Sequence, residues 1–305
     1  MASCLCCHKP AGEGPPYHAK CLRSLFGTTR APGIPFAAED LHRLALKAGG
    51  RMSVPGAHIK LLVRFDPETR SLEPAAEGST HLLKPESRKA PELPANENLC
   101  MSIAADLGLS VPPHGLFRMA DGRLCYVVRR FDRAPDGARL HVETLFQLLG
   151  TESKHKGSIE DAGRALRAHA RNVGLDVLEL FERVLLSFLL GNGEMHMRDM
   201  ALLLRPDGST ALAPCVGLAC TKMYVPAQED SALTVNGKRT KLSPEDFRAL
   251  AASLRIPPKA AENSLRRLGE ARRRIQALCG ESQLTHLMRQ KLAYVLDSRY
   301  RRLLP

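Results

Sequence analysis

Cys4 and Cys7 stand two residues apart, His18 and Cys21 likewise, and ten residues separate the two pairs. Each closely spaced pair of soft ligands can bite one edge of a tetrahedron from a tight turn, the arrangement that suits structural zinc. Four protein ligands would close the site, making it structural rather than catalytic. Cys6 could replace a neighbouring ligand, and His8 is a further candidate. The alternative is a flexible terminus carrying reactive thiols. The other five cysteines, Cys100, Cys125, Cys215, Cys220 and Cys279, are scattered and read as small buried hydrophobes. No acid–base dyad, nucleophile elbow or Walker loop offers another chemistry.

The elements that must position reactive groups follow from pattern and punctuation. The residues from Leu25 to Pro35 read as a connector, and Ala38 to Ala48 as a short helix. Lys60 to Phe65 and Thr80 to Lys84 are expected strands, separated by a turn at Asp66-Pro67 and a polar stretch. Asn96 to Leu107 has helical apolar spacing with Gly108 placed as its C-cap. Two more strands, Gly115 to Met119 and Leu124 to Arg130, flank Asp121-Gly122, a hairpin signal. From His141 the pattern turns helical. Leu175 to Leu190 predicts a buried helix ending at Gly191-Asn192, and a hairpin follows across Asp207-Gly208, joining Ala201–Leu204 to Ala211–Ala213. From about Ser243 the chain is helical, with Arg266-Arg267 and Arg272-Arg273-Arg274 on solvated faces.

A chain of 305 residues, 44% hydrophobic, can bury a sizeable core. Lys and Arg number 44 against 32 Asp and Glu, a formal charge of +12, which favours an anionic partner such as nucleic acid or an acidic protein surface. With no Trp and 5% aromatic residues, stacking platforms for single strands are scarce, so nucleic acid would be met through charge or through a partner. No stretch approaches the roughly 18 apolar residues of a membrane span, and MASCLCCHKP lacks the regions of a secretory signal. The expected location is the cytoplasm, where a disulfide framework is not expected.

Several ordered segments carry a resemblance. They are Met52 to Lys60 (MSVPGAHIK), His81 to Pro85 (HLLKP), Leu93 to Glu97 (LPANE), Val128 to Arg133 (VRRFDR), Lys156 to Glu160 (KGSIE) and Leu233 to Lys238 (LTVNGK). In this order they resemble the HipA serine/threonine kinases of bacterial type II toxin–antitoxin systems, in the short HipT-like form. The resemblance implies an α+β, two-lobed, protein-kinase-like fold. It would comprise a Cys/His-rich segment 1–35 with the zinc ligands, a small β-rich N-lobe 36–135 and a larger helical C-lobe 136–305.

Phosphoryl transfer from ATP needs a loop over the phosphates, a Lys at the α/β-phosphates, oxygen ligands for Mg2+ and a base near the attacking hydroxyl. By resemblance Ser53 to Lys60, with Gly56, is the phosphate loop. Lys84 is the phosphate-binding lysine, Glu97 its partner and Phe131 a wall of the adenine pocket. Ser53 matches the family's autophosphorylation position, where a phosphate would bring up to about two negative charges into the nucleotide site.

The catalytic segment departs from the family pattern G-N-x-D-x-H-x-[KR]-N. Here Gly191 to Asp199 reads GNGEMHMRD, so Glu194 stands at the base position and Asp199 at the metal-binding Asn position, with His196 kept between them. Asp199 remains a competent Mg2+ ligand by type. The family's metal-binding aspartate, in a segment like A-P-x-Y-D-L, is replaced by Gly217 in Ala213 to Leu218 (APCVGL). These changes predict impaired or lost phosphotransfer, or a pseudokinase scaffold that binds an antitoxin or another partner. The resemblance also implies a helix-turn-helix antitoxin, a small HipS-like protein, DNA reached through the antitoxin, and a substrate such as an aminoacyl-tRNA synthetase.

Overall fold

The computed structural model describes residues 2–47, 59–87, 89–134 and 136–304. Ser53 and Gly56 lie outside them, whereas Lys60 is described, half-buried, immediately before the first strand. The chain divides into two compact units. One comprises residues 1–102, 112–138 and 280–284, the other residues 103–111, 139–279 and 285–305.

The first unit contains helices α1 (Ala19–Phe26) and α2 (Asp40–Lys47) and strands β1 (Leu61–Asp66), β2 (Ser71–Pro74) and β3 (His81–Pro85). It also holds the start of helix α3 (Leu93–Asp106) and strands β4 (His114–Arg118) and β5 (Leu124–Arg129). The five strands form an antiparallel sheet in the order β2-β1-β3-β5-β4. The β4–β5 turn forms as expected: Gly122 takes φ +79° and donates its N–H to Met119 O at 2.9 Å. Leu25 and Phe26, expected in a connector, instead end α1, and Gly27 closes that helix at φ +76°. Their burial explains the difference, because the short helix is amphipathic and its apolar face enters the core with Leu61, Val63, Leu83 and Phe117. The segment 1–35 contributes Cys4, Cys6, Leu22, Leu25, Phe26 and Ile34 to that same core. The polar stretch after Asp66 also holds a strand, β2, whose one buried residue is Leu72.

The second unit contains β6 (Val142–Thr144), α4 (Leu145–Leu148), α5 (Ile159–His169), α6 (Val173–Leu190), β7 (Ala201–Leu204) and β8 (Thr210–Leu212). A short 3-10 turn (Thr221–Met223) and helices α7 (Pro244–Ser253), α8 (Pro258–Glu270), α9 (Arg272–Gly280) and α10 (His286–Leu303) complete it. The expected hairpin forms as β7 and β8, and an unexpected strand, β6, pairs with β7 to complete a three-stranded sheet. Three residues are too few for a strand period to be read from sequence. Helix α6 is apolar on most of its surface and buried accordingly. Gly191 stops it in the left-handed conformation at φ +66°, where a Cβ would also meet Val295 Cγ1 at 2.7 Å. The arginine runs are exposed on helix faces and pair with acids, Arg266 with Glu270 at 2.7 Å and Arg274 with Asp106 at 3.0 Å. Among the described residues no helix is long and apolar enough to cross a membrane.

Candidate functional site

In the first unit Lys84 sits on β3 opposite Tyr126 of β5, and its side chain reaches toward α3. Its Nζ pairs with Glu97 Oε1 and stands 5.4 Å from the centre of the Tyr126 ring. Glu97 is on α3 and 7% exposed, Lys84 19%, so the pair exchanges most of its water for each other. Phe131 is half-buried in the turn after β5. That turn is pinned by Asp132, which accepts from Arg130 Nε and Nη2 at 2.9 and 2.6 Å and from Arg133 at 2.9 Å. Burial pushes the Asp132 carboxyl up, but the two arginines outweigh it and hold it below the usual range.

In the second unit the loop after α6 carries Glu194, His196 and Asp199. Asn192 is buried and its Oδ1 accepts the Glu194 N–H at 3.1 Å. Asp199 Oδ2 accepts the His196 N–H at 3.0 Å and lies 2.7 Å from His196 Nδ1, so one oxygen of this carboxylate shapes the loop. Glu194 is exposed, and its Oε1 accepts from Gln228 Nε2 at 2.8 Å. Gln228 is in turn held by Thr221 Oγ1, while its backbone carbonyl accepts from Lys222 Nζ at 2.9 Å. The same stretch lies directly over Gly193: a Cβ there would meet Glu229 O at 2.6 Å and Gln228 Cδ at 2.7 Å. Nothing in the sequence pattern singled out Gln228, because the approach joins two loops far apart in the chain.

The β7–β8 hairpin brings Asp199, just before β7, and the segment from Ala213, just after β8, to one end of the small sheet. Ala213 N–H donates to Ala201 O at 2.8 Å. Beyond it Cys215, Leu218 and Cys220 are buried, whereas Gly217 is exposed at φ +72° with nothing within 4 Å of where a Cβ would stand. The segments 156–160 and 233–238 also meet, with Ile159 N–H on Thr234 O at 2.9 Å and Asn236 N–H on Glu160 Oε1 at 2.8 Å. Asp246, in the first turn of α7, receives Lys238 Nζ at 2.7 Å and Asn236 Nδ2 at 2.9 Å. A cavity of about 390 Å3 lies beside Lys156, Gly157 and Met197.

At the N-terminus Cys4, Cys7, His18 and Cys21 come together, their ligand atoms all within 4.8 Å of one another. Hydrogen bonds from Cys21, Cys6 and Cys7 hold the Cys4 thiol far below its ordinary range despite burial. Cys6 is not in this group of four; it is buried against β4, its Sγ 2.5 Å from where a Cβ on Gly115 would stand. His8 is turned to α3, where its Nε2 lies 2.9 Å from Asn98 Nδ2.

An antiparallel five-stranded sheet with an ion-paired lysine and a covering helix, together with a helical unit bearing a loop–hairpin–loop, defines a protein-kinase-like α+β fold. A HipA structure from Shewanella oneidensis, solved with HipB and operator DNA, superposes with a TM-score of 0.68 at 21% identity, covering 88% of this chain and 72% of that one. The Helicobacter pylori proinflammatory kinase CtkA gives 0.57 at 15% identity, over 82% and 90%. The family model for the HipA-like C-terminal domain matches residues 52–275, and the chain belongs to that family. Two Sinorhizobium fredii relatives bear the names "Putative kinase Y4dM" and "Putative kinase Y4mE". The first is 29% identical over 271 residues and the second 32% over 214, covering 81% and 67% of this chain. The chain spans 64% and 50% of their lengths.

Proposed function

We propose that this HipA-family protein keeps a nucleotide-facing lysine but has impaired or lost phosphotransfer, and acts in the cytoplasm within a toxin–antitoxin system chiefly by binding a partner. The observation that carries this reading is Gly217. By the resemblance it stands where the family carries a metal-binding aspartate, and it offers no oxygen-bearing side chain to neutralise charge on the phosphates.

ATP and Mg2+ are the cofactors that the family implies, and the residues present fit them unequally. The Lys84–Glu97 pair suits phosphate binding, since a lysine held by a carboxylate is presented at a fixed point. The metal side fits poorly: one oxygen of Asp199 is engaged by His196, Glu194 is tied to Gln228 and Gly217 cannot ligate. No metal-dependent step is therefore assigned to these residues. Glu194 carries the right group for a base on a stem one methylene longer, and a misplacement of about 1 Å can already cost about 10²-fold.

A helix-turn-helix antitoxin is the proposed partner, in line with the HipB and operator DNA that accompany the Shewanella HipA structure. DNA would then be reached through that antitoxin, aided by the chain's +12 charge. A small HipS-like protein is a second proposed partner, and an aminoacyl-tRNA synthetase would be the substrate only if phosphotransfer persists. The test is nucleotide binding with and without Mg2+, beside transfer from labelled ATP to the chain itself. ATP binding that Mg2+ does not strengthen, with no labelled protein, is expected. Mg2+-dependent labelling of Ser53 would overturn the reading.

A further inference from the structure

We propose that Cys4, Cys7 and Cys21 through Sγ, and His18 through Nδ1, hold one Zn2+ in a closed tetrahedral site that clamps the N-terminal turn onto α3 and β4. The geometry is close to that of a loaded site. His18 Nδ1 lies 3.3 Å from Cys7 Sγ and 3.9 Å from Cys21 Sγ. Zinc–ligand bonds of 2.0–2.3 Å imply tetrahedral edges of about 3.3–3.8 Å, so an outer limit of 4.8 Å leaves less than about 1.5 Å to close.

The surroundings of the four ligands serve a metal. His18 Nε2 lies 2.8 Å from Pro10 O, which can only accept, so Nε2 carries the proton and Nδ1 turns a lone pair toward the sulfurs. The His18 N–H donates to Cys4 Sγ at 3.3 Å, a contact that stabilises a thiolate. The Cys4–Cys7 turn is closed by Cys4 N–H on Lys9 O and His8 N–H on Cys4 O, both 2.8 Å, which points the two sulfurs the same way. Binding by three thiols and one neutral imidazole releases up to about three protons to the buffer and leaves a net charge near −1.

The residues between the ligands give the site its purpose. Leu5 O accepts the Leu116 N–H of β4 at 2.9 Å and Asn98 Nδ2 of α3 at 3.1 Å, and Cys6 O accepts Ser102 Oγ at 3.0 Å. Asn98 follows Glu97 directly, so the turn that zinc would lock is docked on the helix that presents the Lys84 partner.

The full chain, purified under reductant and without chelator, should carry about one zinc by elemental analysis, and Cys21→Ser less than half of that. Cobalt exchanged into the unaltered protein should show tetrahedral visible bands with thiolate charge transfer, a readout independent of whether the variant folds. Removing the metal by chelation should raise amide exchange at Leu116 and along 93–102 at least tenfold, while β7–β8 is unchanged. Fewer than about 0.2 zinc per chain together with no cobalt bands would overturn the site, given the affinity expected of such ligand sets. A metal bound without any change at Leu116 or α3 would overturn the clamp.

Discussion

The Lys84 ammonium is paired with the Glu97 carboxylate across the gap between β3 and α3, and both groups are largely out of water. Removing one partner strands the other. Lys84→Met should therefore cost about 2–3 kcal/mol in urea unfolding, below the 3–5 of a fully buried pair because Lys84 keeps part of its exposure. Lys84→Met with Glu97→Gln should recover part of this loss, and both variants should lose ATP binding.

Gly217→Asp should restore more chemistry than Glu194→Asp. Position 217 has open space, and Asp is among the few side chains that tolerate its φ of +72°. A base contributes about 10² to 10⁴, and positioned charge stabilisation is commonly the larger effect. With labelled ATP and Mg2+, Gly217→Asp should give labelled protein at least about tenfold above the background seen with the unaltered chain. A large gain from Glu194→Asp alone would mean that the metal position never limited the rate.

Asp230 is buried with Arg299 against it, and Arg302 reaches it at 2.7 Å. Burial pushes its carboxyl up, and the two arginines more than reverse the push. Asp230→Ala leaves Arg299, 3% exposed, without its counter-charge, at a cost of about 3–5 kcal/mol in chemical denaturation. Arg302→Ala should cost less, since that side chain is a third exposed.

His81 gives a pH dependence in an accessible range. Its Nε2 lies 2.8 Å from Leu25 O, and burial pushes its pKa down to about 4 from 6.5. The unfolded chain therefore takes up a proton that the folded one refuses. Stability on this account is complete above pH 6.5 and declines as the pH falls toward 4. Melting temperatures between pH 7 and 4 should fall less steeply in His81→Gln.

Much of this was legible locally. The strands around Leu62, Leu82 and Val127, the helix stopped by Gly191 and the cysteine pairs each announce themselves within a few residues. Lys84 and Glu97 were legible as partners through the order of the family's segments, not through any contact visible in the sequence. Helix α1 was missed because Gly27 and the nearby prolines look like a connector until Leu25 and Phe26 are seen to be buried. Strand β6 is three residues long, and the hold of Gln228 on Glu194 joins positions 34 apart. Such contacts are decided by tertiary packing, which no local period records.

The stretch lying over Gly193 has a meaning for descent as well as for shape. Because even a methyl group there would strike Glu229 O and Gln228, the 228–229 stretch keeps its seat only while position 193 stays bare. Lineages that acquire a side chain at 193 must route the 228–229 stretch elsewhere and surrender the tether on residue 194. Where a glutamine at 228 holds residue 194 in this way, glycine is therefore expected at 193, whereas glycine at 193 alone asks nothing of position 228.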